Sequence, residues 1–443
     1  MADFGNVHNV EKFKRDGDAL LRQVIGNFFS AEVELFYYPT NEFFQRFGVN
    51  ILQVPLRNVY SVGNDITLLV PRMHDNTPNG ELAQQIAYLG ISITKKQISQ
   101  YGRIFNILSD AITRRLSDCY KLQFKLLRQY FDDSLISYTI ANYFVKGKLS
   151  ATKVVHLINH FNALRTTSFE GLFFSTGMIL TKSPYDYHTN ASGRKGTTYA
   201  LENRVDVLQD NFDRRFWYLV DGKNTFYLCN RKFQICDVLS VKYSPSIVKH
   251  VDYLTLRDTL QGSDVMLRIE NEKELSIVGS DSVEFIFKEN HWKYRDYDYI
   301  HNLIQSKINM GLKVYGYLIY YVLYCSKKGI STIIWIPQDL RKINKLLSSK
   351  HKILKDSIKI TNSDCLATVI RMLSSDGATI LSKTGEIKYF GAFVRTQPAR
   401  KKSLGGTGEG AASVLASNGI SIKVSQDGTI KFFISNNGEV ITL

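Results

Sequence analysis

Apolar positions along this chain follow three successive rhythms. Val33 to Tyr38 and Asp65 to Pro71 are short runs rich in β-formers and predict strands; Asp75 to Gly80 (Asp-Asn-Thr-Pro-Asn-Gly) reads as a loop. From about 81 to 162 the spacing turns helical. Ile104, Leu108, Ile112, Leu116 and Cys119 recur about one turn apart, with Arg114, Arg115 and Lys121 mostly on other faces. From about 169 to 299 alternation takes over. Phe216 to Val220 and Thr225 to Cys229, joined through Asp221-Gly222, predict a hairpin. Val283, Phe285 and Phe287 alternate with their neighbours before a return through His291 to Arg295, which predicts an antiparallel module.

The final stretch interleaves helix and strand. Ile304 to Cys325 predicts a helix, and Ser331 to Ile336 an apolar strand closed by Pro337. Leu366, Val369, Ile370 and Leu373 form one face of a helix that runs into Asp376. Thr379 to Leu381 and Ile387 to Val394 predict strands. Ala411 to Ser417 predicts a short helix stopped at Asn418-Gly419. Ile420 to Val424, Thr429 to Ile434 and Glu439 to Thr442 complete the strands, the last two turned at Asn437-Gly438. The expected fold is a multidomain α+β or α/β chain. A mixed, then helical region spans 1–165 and an antiparallel β-rich module 166–299. An α/β domain with a central mixed sheet spans 300–443.

Composition agrees with packed cores: 443 residues, 44% hydrophobic, suggest two or three domains. No basic and apolar leader opens the sequence, and Val314 to Cys325 is too short and too rich in tyrosine to span a bilayer. The five cysteines are scattered without a C-x-x-C pair, which argues against a disulfide framework or a zinc site. A reduced, cytoplasmic setting without a membrane partner is therefore expected. The net charge of +15 is concentrated: 301–443 carries 20 Lys and Arg against 8 Asp and Glu. That field favours an anionic partner.

Chemistry concentrates in the same segment. Asp376-Gly377-Ala378 stands at a helix-to-strand junction, where a carboxylate can serve a divalent metal or a hydroxyl, although Asp-Gly is also a common turn. Gly405-Gly406-Thr407-Gly408-Glu409-Gly410 opens a helix. Its backbone amides and the helix N-terminus suit a phosphate, with Thr407 offering a hydroxyl and Glu409 a carboxylate. Arg400, Lys401 and Lys402 just upstream can neutralise phosphate charge. An ordinary flexible loop before a helix fits those residue types about as well, and no P-loop is present. Weaker signals are discounted: His156 and His160 have zincin spacing but Leu157 replaces the needed Glu, and Gly193 to Thr198 reads as a loop. His291 and Trp292 read as packing residues.

In this order the pieces resemble the catalytic domain of diadenylate cyclases over residues 300–443. The resemblance rests on the apolar strand Ser331 to Ile336, the Asp376-Gly377-Ala378 motif, a strand pair containing Gly391, Gly406-Thr407 before Ala411-Ala412, and Val424-Ser425. It implies a metal-dependent nucleotidyltransferase that uses Mg²⁺ or Mn²⁺. Two subunits, each holding ATP or another NTP, would meet face to face and form a cyclic dinucleotide with pyrophosphate release. By the same resemblance Asp376 serves the metal and the attacking hydroxyl, Gly377 and Ala378 line the nucleotide, Thr407 contacts phosphate or ribose, and Ser425 edges the site. Where the family carries Arg-His-Arg after Gly-Thr, this chain has Gly408-Glu409-Gly410. Three readings follow: a variant enzyme with Glu409 on the metal, another nucleotide, or a nucleotide-binding regulator without turnover. Residues 1–299 are similar in arrangement to the sensor regions fused to such cyclases. A nucleic-acid partner ranks last, because no reader motif appears.

Overall fold

The computed structural model describes residues 17–29, 33–38, 59–62, 66–69, 88–94, 102, 104–115, 133–145, 149–173, 175–188, 196–209, 214–241, 260, 262–271, 274–351, 357–395, 407–434 and 439–443. They build helices and two large mixed sheets, an α+β arrangement. A four-stranded antiparallel sheet comes first, from β1 (Glu34–Tyr38), β2 (Val59–Val62), β3 (Ile66–Leu69) and β4 (Tyr88–Thr94) in the order β1-β4-β3-β2. β4 lies inside the stretch expected to be helical. Its pairing on both edges, with β1 and β3, outweighs the local helical spacing. Helices do follow at 104–115, Asp133–Phe144 and Ala151–Arg165. A small hairpin, β5 (Ser168–Phe169) with β6 (Leu172–Phe173), leads on.

The eight-stranded sheet comprises β7 (Thr176–Leu180), β8 (Gly196–Asp206), β9 (Thr225–Cys229), β10 (Gln234–Val241), β11 (Val265–Asn271), β12 (Glu274–Gly279), β13 (Val283–Lys288) and β14 (His291–Asp296). Its order is β14-β13-β12-β11-β7-β9-β10-β8. The expectation of a purely antiparallel module needs correcting, because β7 and β9 run parallel, with Met178 opposite Tyr227. Parallel neighbours require a crossover, and the segment between them supplies it.

Part of that crossover overturns the hairpin expected at Phe216 to Val220. Residues Arg214–Tyr218 form a short helix instead. Trp217 is fully buried, packed on Phe161 and His160, and the Phe216 ring stacks on Tyr227 at 4.4 Å. The Tyr227 hydroxyl donates to the Phe216 carbonyl. Burial of Trp217 and stacking of Phe216 decide the backbone here. Gly196, Thr197 and Thr198, expected in a loop, open β8; residues 193–195 lie outside the described residues.

One face of this sheet carries the helices. Phe28 of the helix Asp18–Phe29 stacks on Phe285, which also meets Tyr143 and Phe144 edge-on. The single cluster they form runs from Leu21 through Ile104, Leu157 and Leu267 to Tyr294. Trp292 is buried against Phe287, as expected of a packing residue, and His160 lies beside Trp217.

The last sheet contains β15 (Thr332–Pro337), β16 (Leu347–His351), β17 (Ala378–Leu381), β18 (Ile387–Val394), β19 (Gly419–Val424), β20 (Ile430–Ile434) and β21 (Glu439–Thr442). Its order is β16-β18-β17-β15-β19-β20-β21, with β15 and β17 parallel and the other pairs antiparallel. The helix expected over Ile304 to Cys325 is two helices, Tyr297–Ile308 and Leu312–Lys327. Asn309 adopts the left-handed conformation and Gly311 starts the second helix, so the chain turns where a continuous pattern predicted none.

Strict alternation divides this sheet into two faces. Ile334, Ile336, Ile420, Ile422, Val424, Ile430 and Phe432 pack with the helices Tyr297–Ile308, Leu312–Lys327 and Leu366–Leu373. Ile333, Trp335, Ala378, Ile380, Ala392 and Phe433 face the opposite way, toward Ala412, Leu415 and Ala416 of the helix Thr407–Ala416.

Candidate functional site

Asp376 is placed by a turn that only glycine can make. The helix Leu366–Leu373 ends at Ser374, and the hydroxyls of Ser375 and Thr379 both donate to the Met372 carbonyl, at 2.7 and 3.1 Å. Gly377 then takes φ +95, and a Cβ there would stand 2.7 Å from the Ala392 carbonyl oxygen. Gly391, at φ +56, closes the approach from the neighbouring strand. Two backbones therefore touch beside Asp376, which stays exposed at the start of β17.

Register carries this position across the sheet. Ala378 lies opposite Ile333 in β15, Ile333 opposite Lys423 in β19, and Lys423 opposite Lys431 in β20. All four share the face that packs under the helix Thr407–Ala416, since Ala378 and Ile333 belong to its cluster and strand alternation puts Lys423 and Lys431 beside Ser421 and Phe433. Ala378 and Lys423 stand two strand spacings apart, or about 10 Å. Ser331 precedes β15 and Ser425 follows β19, so both fall at the sheet end where Asp376 lies.

The helix expected from Ala411 begins one turn earlier, at Thr407. Glycines inside a first helical turn cost stability, and one of them, Gly408, lies against Lys423. A Cβ there would be 2.9 Å from Lys423 Cε and 3.3 Å from its Nζ. At Gly410 a Cβ would meet nothing within 4 Å. Farther along, the Ser421 hydroxyl donates to the Ala412 carbonyl at 2.5 Å and fixes the helix on β19. Behind the helix, Gly419 at φ +130 reaches under β15, where a Cβ would be 2.2 Å from the Ile336 carbonyl oxygen.

Charge at this end is only partly matched. Lys431 Nζ donates to Glu409 Oε1 at 2.7 Å, an ion pair about one third exposed on each side. Lys423 Nζ donates to the neutral Ser331 hydroxyl at 2.5 Å. Burial lowers the pKa of the Lys423 ammonium, while Glu409 and Asp427 oppose that shift. Asp427 is itself held below the ordinary carboxylate range by the Thr429 amide, against the opposing effect of burial.

The sequence-derived residues thus separate into groups. Asp376, Gly377, Ala378, Gly408, Glu409 and Ser425 fall at one end of one sheet or at the helix start beside it. Thr407 begins the helix, but its side chain lies outside the description. Arg400, Lys401, Lys402, Gly405 and Gly406 lie outside the described residues, as do Asp75 to Gly80, Leu116, Cys119 and Asn437-Gly438. Lys423, Lys431 and Ser331 were not among the expected residues. Their signal was present in the alternation of Ile420 to Val424 and Ile430 to Ile434, but it becomes a site only once the β19–β20 register is known.

Among the described residues no group of three or more His, Cys, Asp or Glu gathers as a metal site. Asp376 alone still suits a Mg²⁺ that takes most of its ligands from substrate phosphates and water. Glu409, already holding Lys431, fits a metal less well. No helix among the described residues is long and apolar enough to cross a membrane, and the four described cysteines are free.

The class these features define is an α+β protein with a cation-bearing sheet end beside a helix N-terminus. No protein-family model matches the chain, and no curated protein matches it.

Proposed function

We propose that the chain is a nucleotide cyclase of the diadenylate cyclase type. Residues 300–443 act as its nucleotide domain, 166–299 as a β-rich module, and 1–165 as a sensor-like region. The reading is supported chiefly by the register that sets Ala378 and Lys423 on either side of Ile333, at the sheet end where Asp376, Ser425 and the start of the Thr407–Ala416 helix also fall. Residues far apart in sequence converge where a nucleoside triphosphate would need backbone approach, a carboxylate and cations together.

In this mechanism the chain positions reactants and stabilises charge. Two NTPs, ATP first among them, are held by two copies of the nucleotide domain. Each 3′-oxygen forms a bond to the α-phosphorus of the partner's nucleotide, the bond to the bridging oxygen breaks, and pyrophosphate leaves. The hydroxyl proton passes to solvent or to Asp376. Gly377 and Ala378 let the nucleotide lie close to the backbone, and Ser425 borders it. The helix N-terminus at Thr407–Gly408 faces phosphate. Mg²⁺ or Mn²⁺, held by Asp376 and the phosphates, supplies charge neutralisation when bound.

The test is product analysis. Full-length protein with ATP or mixed NTPs and Mg²⁺ or Mn²⁺ is expected to release pyrophosphate and yield a cyclic dinucleotide by mass spectrometry. Asp376→Asn is expected to cut turnover by roughly 100-fold or more, as for loss of a group acting in the transition state. Undiminished turnover in that variant would sink the assigned mechanism. A second reading, nucleotide binding without turnover, is favoured by one observation: Glu409 is occupied by Lys431. Binding of nucleotide with no product from any of the four NTPs would select it.

A further inference from the structure

Lys423 and Lys431 are direct cross-strand partners, with side chains on the same face. Like charges in that relation lie about 5 Å apart at Cβ and destabilise a sheet. Among the described residues one anion serves them at contact distance, and it reaches Lys431: Glu409, from the first turn of the overlying helix, at 2.7 Å. Lys423 is partly withdrawn from water and contacts a hydroxyl. Gly408 lies against its end, and Gly410 leaves the adjoining turn open. The cost of two cross-strand lysine charges on one face is relieved when a second anion enters.

We propose that Lys423 and Lys431 are the phosphate-binding pair of the nucleotide site, and that Glu409 is an internal counter-anion that the incoming phosphate displaces from Lys431. This rests on the nucleotide-site reading above and assigns the ligand's polyphosphate to these two residues. Glu409 then restrains binding and holds no metal. Its release on loading also frees the first turn of the Thr407–Ala416 helix, so occupancy of the site is transmitted to the helix that covers it.

The experiment measures equilibrium binding of ATP and of inorganic tripolyphosphate to the full chain, with and without Mg²⁺, at two salt concentrations. Lys423→Ala and Lys431→Ala are each expected to weaken both ligands by roughly tenfold, the worth of a charge-assisted hydrogen bond. Glu409→Gln is expected to tighten both by about two- to tenfold, with or without Mg²⁺, because a competing surface anion is gone. A gain of affinity cannot arise from a damaged fold. The double variant Glu409→Gln with Lys431→Ala separates loss of the cation from exposure of the carboxylate, and it is expected to bind more weakly than Glu409→Gln alone. The proposal is overturned if Glu409→Gln weakens ATP binding only when Mg²⁺ is present, which makes Glu409 a metal ligand. It is equally overturned if tripolyphosphate affinity is unchanged in both lysine variants. Lysine-dependent tripolyphosphate binding without any cyclic product refutes the cyclase reading and leaves the phosphate pair standing. No binding of either probe to the unaltered chain refutes both.

Discussion

The eight-stranded and seven-stranded sheets treat charge in opposite ways. Inside the first, Glu284 is buried and surrounded. Arg268 and Arg295 approach its carboxylate at 3.6 and 3.7 Å, the Ser276 hydroxyl donates to it at 2.5 Å, and the Tyr297 hydroxyl donates to it as well. Burial alone would lower the Arg295 pKa, but Tyr297 and Glu284 together hold it above its ordinary value. Among the described residues of the second sheet the corresponding interior positions carry no charge, Lys388 and Glu386 pair at one end at 2.6 Å, and Lys423, Lys431 and Glu409 gather toward the other, with exposed Asp376 two strands from Lys423. Buried ions must be paired or they cost several kcal/mol, so the first arrangement is an internal ion network, although the Arg295 Nε has no hydrogen-bond partner among the described residues. Charges left half in water and half matched can accept a ligand.

The two sheets also meet. Tyr297 follows β14 directly and opens the helix that lies under β19, and its carbonyl accepts from the buried Tyr315 hydroxyl at 2.8 Å. Lys327, at the end of the helix Leu312–Lys327, reaches Glu274 of β12 at 3.9 Å, and Lys288 of β13 reaches the same carboxylate at 3.5 Å. The Glu284 network therefore anchors the very residue that starts the last sheet's supporting helix.

The largest effect is expected from removing Glu284. Glu284→Ala leaves two guanidinium groups in the interior without their carboxylate. It is expected to cost about 3–5 kcal/mol, the usual penalty for an orphaned buried charge. Chemical denaturation followed by far-ultraviolet circular dichroism measures it. A loss under about 1 kcal/mol, as for an exposed pair, would mean that water reaches the network and that the contrast between the sheets is false.

A smaller loss is expected from Gly377→Ala. The left-handed φ and the 2.7 Å approach to the Ala392 carbonyl make any side chain strained there, worth about 1–3 kcal/mol. Because the strain falls on the turn that places Asp376, turnover is expected to fall further than stability does. Equal activity with lowered stability would show that the turn serves only the fold.

These two positions also show how far the sequence can be read. Asp376-Gly377-Ala378 was visible as a motif because its constraint is local: one glycine, one turn, one strand start. Six strands of the seven-stranded sheet were legible too, because runs such as Ile333 to Ile336, Ile420 to Val424 and Ile430 to Ile434 are apolar and bounded by turn residues, whereas the polar edge strand Leu347–His351 was not foreseen. Lys423 and Lys431 were not, because nothing local distinguishes them from lysines on a solvated face. Their meaning depends on a cross-strand register and on a helix arriving from the other side. Arg214–Tyr218 was misread for a related reason: its β-forming rings are held by Phe161, His160 and Tyr227, and none of these is near in sequence. The break at Asn309 had a signal in Asn309-Met310-Gly311, a turn-prone pair around an apolar residue, which the continuous helical spacing on either side concealed.

The smallest effect separates the two kinds of charge most finely. Lys423→Met removes one of two cross-strand lysine charges and keeps the apolar stem that lies under Gly408. It is expected to stabilise the chain by about 0.2–1 kcal/mol, the cost of like charges directly opposite in a sheet, while weakening phosphate binding. Salt must erode the gain, because screening relieves the same repulsion in the unaltered protein. The pH dependence has a fixed sign. The folded chain holds the Lys423 proton less tightly than the unfolded chain, whose lysine titrates near its ordinary 10.5. Between the depressed folded pKa and 10.5 the unfolded state binds more protons, so stability contributed by this site rises with pH across that window. The difference between Lys423→Met and the unaltered protein should therefore shrink as pH climbs through it, which thermal melts from neutral pH to above pH 10 would register. A variant that is instead less stable at neutral pH, by an amount independent of salt, would place Lys423 among the matched charges and remove the contrast between the end of the last sheet and the interior of the first.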